Sequence, residues 1–412
     1  MNITTIFITM IFISVMLILP ILSSHFRKNN NLLIVYYFVI LLYQIVAFTN
    51  AYWFRTIGAD MDANSFHVLA SDISNFGVFH FSSDANLYMN ILGLLYWLTT
   101  PSHIIGGQLS ILAISISIII LVSIINLLKL DKFQTPIIFT YAALPTMFTL
   151  GALTLREPIQ IFLLITATFF GIKMKINSKM KLINFSLMVI FTLAAGLFHK
   201  AIFLFGSIYI FAFMVWNIDI NSDKYKIKKF RLLFLLLIPI FMILFFYFAS
   251  NSSISGSELF RKILSLEIME AISKHRLSTP IGRASYEIAF ETYSLFSVLY
   301  STLLIYVNYL FTPFIWQVSS LTDIYAFIEA TAHLILIYYS LKLWRSSEGI
   351  TRSFIGLFLI LFFIMTFMWA LGTTNYGTGM RHKMISWWLL ALMGVPLLYS
   401  KITIMMNKIS FK

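Results

Sequence analysis

Apolar runs recur along the chain from one end to the other and are separated by short polar gaps. The runs are about 16 to 25 residues long, which is the length an α-helix needs to cross the hydrocarbon core of a bilayer. The alternating pattern of a membrane β-barrel is absent from them. Since only helices and closed barrels satisfy every backbone group in lipid, the pattern predicts an all-α, polytopic integral membrane protein.

The positions of Lys and Arg predict how this chain is oriented. Short loops rich in these residues are retained on the cytoplasmic side. Nineteen of the 29 basic residues fall in six short gaps, at 23–31, 129–135, 173–181, 217–231, 342–352 and from Lys401 onward. We therefore assign these gaps to the cytoplasm and the N-terminus to the outside.

That orientation predicts about 11 transmembrane helices in a single transmembrane domain, residues 1–412. The expected spans are 2–22, 32–50, 104–128, 136–154, 158–172, 182–198, 201–216, 232–250, 324–341, 353–371 and 384–400. The apolar stretches 86–100 and 294–315 are expected to be interfacial or re-entrant, because full crossings would place Lys-rich loops outside. Outer loops 51–103 and 251–323 are expected to fold over the domain, and 257–276 to form a helix on the bilayer surface.

Composition narrows the class of protein further. The chain is 59% hydrophobic and 11% charged, with a net charge of +13 and no cysteine. Because the positive surplus lies in the cytoplasmic gaps, we expect contact with anionic membrane lipids and no nucleic-acid partner. The absence of cysteine excludes disulfides and thiolate metal sites.

The remaining charged residues gather on the outer side, where ten basic residues and twelve of the sixteen acids lie. The first outer loop carries Arg55, Asp60, Asp62 and His67. A carboxylate at the membrane surface suits a general base towards a sugar hydroxyl. The alternative is that Asp60 and Asp62 only terminate a helix and solvate the loop.

Two further outer positions carry charges in short turns between spans. Arg156 and Glu157 precede Pro158, which is tolerated in the first turn of a helix. An Arg beside a helix N-terminus suits phosphate binding, although it could also anchor the helix to lipid. His199 and Lys200 form a tight hairpin between two expected spans. We expect them to face a polar cavity, and the alternative is that Lys200 only extends to the membrane interface. His199 could also move a proton.

The last outer loop, 375–383, ends in Arg381, His382 and Lys383 after two glycines. Three cationic or protonatable groups before a helix form a candidate diphosphate clamp. The alternative is that these charges are only a topology signal, located on the outer side where basic residues are not expected. Arg283, in the second outer loop, is a further candidate contact for sugar or phosphate.

An acid and a histidine lie inside an expected span. Glu329 and His333 are four residues apart and therefore share one helix face. Ionisable residues within a span mark a candidate functional site, and a mutually satisfied structural pair is the alternative.

The order of these pieces resembles the GT-C superfamily of polyprenyl-phosphate-dependent glycosyltransferases. Residues 50–172 carry the likeness, with an acidic first outer loop, interfacial helices and an outer Arg-Glu between spans; that loop has Phe66 where the pattern usually has Tyr. The run Gly377–Lys383, just before the final span, resembles the end of Wzy-type polymerases, which join the repeat units of O-antigen and related polysaccharides.

The resemblance implies an O-antigen or related polysaccharide polymerase in the bacterial inner membrane. It would transfer a glycan from an undecaprenyl-diphosphate donor to another lipid-linked repeat unit on the periplasmic face. A chain-length regulator and a flippase would be its protein partners. The alternatives are a GT-C transferase of a single sugar from a polyprenyl monophosphate and, in another class, a lipid-linked oligosaccharide flippase or transporter.

The resemblance also suggests roles for the candidate residues. Substrate contacts are expected from Arg55, Arg156, Glu157, Lys200, Arg283, Arg381, His382 and Lys383. The catalytic base is expected among Asp60, Asp62 and His199, with His67 as a further rival. No cofactor is required and no metal ligands are assigned, although the carboxylates could hold a hard ion such as Mg²⁺.

Overall fold

The structure, a computed structural model, describes residues 2–216, 273–274, 276–278, 284–286, 288–290 and 294–410. Within these residues the chain is helical, and the only extended pairing is an isolated bridge between Ser285 and Asn375. Seven helices in this part of the chain are long and apolar enough to cross a membrane. A helical protein with several membrane-length segments is thereby confirmed, and the number of about 11 crossings stays a prediction.

The helices are numbered here in the order in which they occur among the described residues. They are α1 (Ile3–Leu22), α2 (Ser24–Arg27), α3 (Asn30–Tyr52), α4 (Asn64–Phe76), α5 (Ala85–Leu98), α6 (His103–Leu127), α7 (Gln134–Ala142), α8 (Pro145–Gly151), α9 (Glu157–Ile176), α10 (Lys181–Leu197), α11 (Lys200–Val215), α12 (Leu295–Phe311), α13 (Leu321–Ser346), α14 (Gly349–Gly372) and α15 (Tyr376–Ser410). The expected span 232–250 and most of the predicted surface helix 257–276 lie outside the described residues.

Several helices begin where a short polar side chain caps the first turn. Asn29 accepts a hydrogen bond from the backbone N–H of Leu32 at the start of α3, and Ser320 does the same for Asp323 at the start of α13. Such a side chain satisfies one of the backbone donors that a helix leaves unpaired at its N-terminus.

The expected span 136–154 is not one helix, which corrects the sequence interpretation. The structure divides this segment into α7 and α8, with Leu144 in an extended conformation between them. Pro145 follows directly, and a proline disfavours the helical conformation in the residue before it. The apolar run therefore predicted a continuous helix that its own proline interrupts.

The two stretches expected not to cross the membrane form short helices. α5 has 14 residues and α12 has 17, both fewer than the roughly 20 that a perpendicular crossing needs. α10 and α11 are as short as α12. Helix length alone therefore does not separate the expected spans from the expected interfacial segments, and that distinction stays a prediction.

The chain divides into two compact units. Unit 1 comprises Met1–Phe203 and Trp387–Lys412, and unit 2 comprises Leu204–Ser386. In unit 1, α6 packs against α1, α3 and α9, and α10 packs along α9. In unit 2, α12, α13 and α14 pack against one another.

Close packing in unit 1 fixes the segment that leads into α9. A Cβ atom added to Gly107 would lie 2.6 Å from the carbonyl oxygen of Ala152, and one added to Gly106 would lie 2.6 Å from the hydroxyl of Thr154. Small residues let helix backbones approach closely in membrane proteins. The two glycines of α6 therefore hold the residues just before Arg156 in place.

Candidate functional site

Arg156 lies at a junction of three segments of unit 1. α9 begins at the next residue, and Pro158 lies in its first turn, as the sequence predicts. Arg156 is 8% exposed. Its Nη1 atom donates to Asp84 Oδ1 at 2.6 Å and to the carbonyl oxygen of Phe198 at 2.9 Å. The guanidinium thus joins the start of α5, the start of α9 and the hairpin between α10 and α11.

Asp84, the acidic partner of Arg156, is a site residue that the sequence interpretation did not assign. It has a positive φ of 74°, a region that favours glycine. Its backbone N–H donates to the carbonyl oxygen of Leu197 at 2.7 Å. Asp84 also occupies the N-cap position of α5, yet its side chain makes no capping hydrogen bond to that helix. The carboxylate is directed to Arg156 instead.

The hairpin of His199 and Lys200 is as tight as predicted, since α10 ends at Leu197 and α11 begins at Lys200. The backbone N–H of Ala201 donates to His199 Nδ1 at 3.1 Å, so the imidazole caps α11. That contact requires an unprotonated Nδ1, which places the proton of a neutral ring on Nε2. Lys200 is exposed at the helix start, where its charge is available to an anion.

The first outer loop reaches the same junction through Phe66 of α4. The Phe66 ring centroid lies 6.0 Å from the Arg156 guanidinium carbon. Phe66 also packs edge-on against Tyr88 of α5, with 5.3 Å between ring centroids. Glu157, next to Arg156, is buried and has interactions inside the protein. Its assignment as a substrate contact stays a prediction.

Asp60 and Asp62 lie in a π-helical turn, Ala59–Ala63, that leads into α4. Gly58 precedes the turn with φ 83°, a left-handed conformation that glycine adopts without strain. Asp60 is exposed, and Asp62 is half-buried. Both carboxylates are therefore accessible at the protein surface. Their role as the catalytic base stays a prediction.

Arg55 and two histidines form a second cluster in unit 1. Arg55 Nη2 and His103 Nε2 are 2.9 Å apart, and the ring of His103 stacks on that of His67 with 3.6 Å between centroids. Because arginine only donates, His103 Nε2 accepts this bond. His67 Nδ1 lies 2.9 Å from the Tyr96 hydroxyl. Burial, reinforced by the charge of Arg55, lowers the pKa of His67 to about 4.

The boundary of the last outer loop differs from the sequence interpretation. α15 begins at Tyr376 rather than at 384, so Arg381, His382 and Lys383 lie within its first turns. The Asn375 side chain accepts a hydrogen bond from Thr378 N–H at 2.8 Å and caps the helix. Asparagine is a strong N-cap, which explains why the Gly-rich run is helical. Successive helical residues point about 100° apart, so the three side chains diverge.

The three residues make different contacts within unit 2. His382 Nδ1 lies 2.9 Å from the Thr373 hydroxyl, and its ring stacks on Trp369 with 4.0 Å between centroids. Arg381 is half-buried and interacts within the protein. Phosphate binding by Arg381 and His382 stays a prediction.

Lys383 is directed into the protein interior. It is 4% exposed, and its Nζ donates to the carbonyl oxygen of Leu310 at 3.2 Å, in the last turn of α12. A cation there stabilises the carbonyl groups at a helix C-terminus. Lys383 also interacts electrostatically with buried Glu329, and His333 lies 2.8 Å from the Glu329 carbonyl oxygen. The predicted Glu329 and His333 pair therefore includes a third group.

Some predicted features lie elsewhere or outside the described chain. Arg283 falls outside the described residues. In the described part, no three His, Cys, Asp or Glu side chains are placed to hold a metal ion. A groove of about 510 Å³ in unit 1 is lined by residues from 29–35, 132–140 and 395–402, none of which is a predicted site residue. The groove therefore adds nothing to the candidate site.

Comparisons with known proteins leave the site to be interpreted from its own geometry. No family model matches the chain, and neither a curated protein nor a solved structure shows significant similarity to it.

Proposed function

We propose that the protein is a glycosyltransferase of the bacterial inner membrane that polymerises polysaccharide repeat units. It transfers a glycan from undecaprenyl diphosphate to another lipid-linked unit on the periplasmic face. The observation that carries the proposal is the junction at Arg156, where a buried guanidinium binds the carboxylate of Asp84 and the backbone carbonyl of Phe198, the residue before His199. Donor and acceptor both reach such a site from the bilayer.

The junction suits a leaving group with several negative charges. α5, α9 and α11 all begin there, directly after Asp84, Arg156 and His199. Helix N-termini carry partial positive charge, and an arginine adds directed hydrogen bonds to phosphate oxygens. Lys200 adds an exposed cation. The helix N-termini and Arg156 stabilise the charge that develops on a departing diphosphate, and Lys200 attracts the donor to the junction.

The acceptor sugar needs a base for its hydroxyl, and unit 1 offers several. Asp60 and Asp62 are accessible in the first outer loop, and Asp84 lies against Arg156. His67 is less suited, because its ring stacks on His103 and its Nδ1 atom is engaged with the Tyr96 hydroxyl. The neutral His199 ring uses Nδ1 to cap α11 and carries its proton on Nε2. It could act as a base through Nε2 only after losing this proton.

A transporter of lipid-linked oligosaccharide is a second candidate, and one observation favours it. Glu329, His333 and Lys383 are buried in helices long and apolar enough to cross a membrane. Buried ionisable groups within spans are typical of ion and substrate pathways. The contact of Lys383 with the end of α12 favours a structural role instead.

Deletion of the gene distinguishes these functions through the polysaccharide made by the cell. A polymerase predicts loss of long chains, with a single repeat unit still attached to its lipid anchor. A single-sugar transferase predicts chains of normal length that lack one sugar. A transporter predicts repeat units that accumulate on the cytoplasmic leaflet. Complementation with the wild-type gene and with Arg156→Gln shows whether the phenotype depends on the junction, and a polymerase requires that the variant fail to restore long chains.

A further inference from the structure

The junction of unit 1 already contains an anion, the carboxylate of Asp84. Helices α5, α9 and α11 begin at the junction, and their N-termini, together with the Arg156 guanidinium, favour a negative charge at this position. Asp84 fills this position from within the protein. A substrate phosphate that binds Arg156 must therefore compete with Asp84.

The contact between Asp84 and Arg156 leaves donors unused. The carboxylate receives its hydrogen bond from Nη1, which also serves Phe198, and Arg156 Nε is buried without a hydrogen-bond partner among the described residues. Carboxylates and phosphates can each bind a guanidinium through two parallel hydrogen bonds, and Asp84 makes only one such bond here. A diphosphate therefore offers Arg156 more than Asp84 does.

The side chain of Asp84 is also placed so that it can move away from Arg156. Its side chain is 37% exposed, and it lies at the N-cap of α5 without bonding to that helix. An aspartate at this position ordinarily caps the helix. Its positive φ of 74° costs energy for a residue other than glycine, so the backbone is held by its contacts, including the bond to Leu197. Release of the Asp84 side chain from Arg156 therefore breaks no capping bond to α5.

We propose that Asp84 is the general base of the transfer and that Arg156 holds it until a polyprenyl diphosphate takes its place. The inference rests on the proposed function. The released carboxylate accepts the proton of the acceptor hydroxyl, whose oxygen forms the bond to the anomeric carbon. The bond from that carbon to the diphosphate oxygen breaks, and its electron pair leaves on the diphosphate beside Arg156. Activation of the acceptor then depends on a bound donor.

The test is to measure donor binding and turnover separately in Asp84→Asn. The protein is reconstituted in nanodiscs, with undecaprenyl diphosphate as the binding probe and the lipid-linked repeat unit as the substrate. Removing the competing charge is expected to tighten probe binding by about tenfold, the effect of one charge-assisted hydrogen bond. Turnover is expected to fall by about a hundredfold or more, because the base is lost. A purely structural role would weaken both.

Asp72→Asn is the matched control, since Asp72 is an exposed acid on α4 of the same outer loop. It should change neither quantity by more than about twofold. Arg156→Gln should abolish probe binding, with thermal stability measured alongside to confirm folding. Competition with undecaprenol and with inorganic pyrophosphate shows whether the lipid or the phosphates of the probe are recognised. Pyrophosphate should displace the probe and undecaprenol should not, and the opposite result would overturn the inference.

The outcomes separate two failures. If Asp84→Asn binds the probe no more tightly than the wild type, or if its turnover is intact, the inference is overturned while the proposed function stands. If the wild-type protein binds no undecaprenyl diphosphate and turns over no repeat unit, the proposed function fails, and the inference fails with it.

Discussion

Arg156 in unit 1 and Lys383 in unit 2 are both buried cations that the sequence marks as phosphate contacts, yet their surroundings differ. Arg156 is paired with a partly exposed acid at the meeting point of three helix starts. Lys383 is almost fully buried, contacts a helix C-terminal carbonyl and interacts with buried Glu329. Arg156 lies where helix N-termini favour an anion, and Lys383 is stabilised by a backbone carbonyl and a buried carboxylate.

The two cations differ in the direction of the neighbouring helix dipoles. A cation at helix N-termini is opposed by their partial positive charge and needs an anion nearby, whereas a cation at a C-terminus is stabilised by it. Arg156 therefore binds an anion, which is Asp84 in the structure and which a substrate phosphate can replace. The expected contribution of Lys383 is to stability.

The largest effect is expected from Arg156→Gln. Transfer should fall by about a hundredfold or more, because the group that stabilises the leaving diphosphate is lost. The measurement is the rate of repeat-unit consumption in nanodiscs. Equal losses from Lys383→Met, at equal folded fraction, would remove the distinction between the two cations.

Lys383→Met should act on stability. Removing one partner of a buried charged cluster leaves the other uncompensated, so the free energy of unfolding should drop by about 3 kcal/mol. Denaturation in detergent tests this, with exposed Lys401→Met as the control. Donor affinity per folded molecule should stay within about twofold of the wild type. A stable Lys383→Met protein that no longer binds donor would support the prediction that Lys383 contacts the diphosphate.

A smaller effect is expected from the histidine stack beside Arg55. Because the pKa of His67 is lowered to about 4 by burial and by Arg55, the unfolded chain binds a proton between about pH 4 and 6.5 that the folded protein does not. Stability should therefore fall as the pH drops through that window. His67→Gln should flatten this dependence of the melting temperature, and a slope of the opposite sign would contradict the assignment.

The smallest effect is expected from Lys200→Gln. Lys200 is exposed, so its attraction for phosphate is screened by water and salt. The donor KM should rise about threefold at low ionic strength, with kcat unchanged, and the difference should vanish at high salt. A change in kcat that persists at high salt would mean that Lys200 contacts the reacting groups directly.

The sequence was sufficient to predict those parts of the fold that depend on hydrophobic length and local caps. The expected spans at 2–22, 32–50 and 104–128 agree with α1, α3 and α6 within a few residues. The helix start at Pro158 and the tight hairpin at His199 were also correct. A continuous helix over 136–154 was wrong, because the interruption at Pro145 was not weighed against the apolar run.

The site was less predictable, because it depends on long-range contacts. Asp84 and Arg156 are 72 positions apart, and nothing local distinguishes Asp84 from Asp60 or Asp62 as the partner. Its unusual φ is a consequence of the fold. For Lys383, the decisive contact is with Leu310, 73 positions away. The N-cap at Asn375, by contrast, is a local signal that could have placed the start of α15 correctly.

The proposed function requires unit 1 to hold the diphosphate of a lipid-linked glycan during transfer. The most direct measurement is incubation of the purified protein, in nanodiscs, with undecaprenyl-diphosphate-linked repeat units alone. A polymerase is expected to consume the repeat units, release undecaprenyl diphosphate and form a ladder of longer lipid-linked glycans, and Arg156→Gln is expected to form none. Unchanged repeat units with the folded wild-type protein, or a ladder of equal yield with Arg156→Gln, would contradict the proposal.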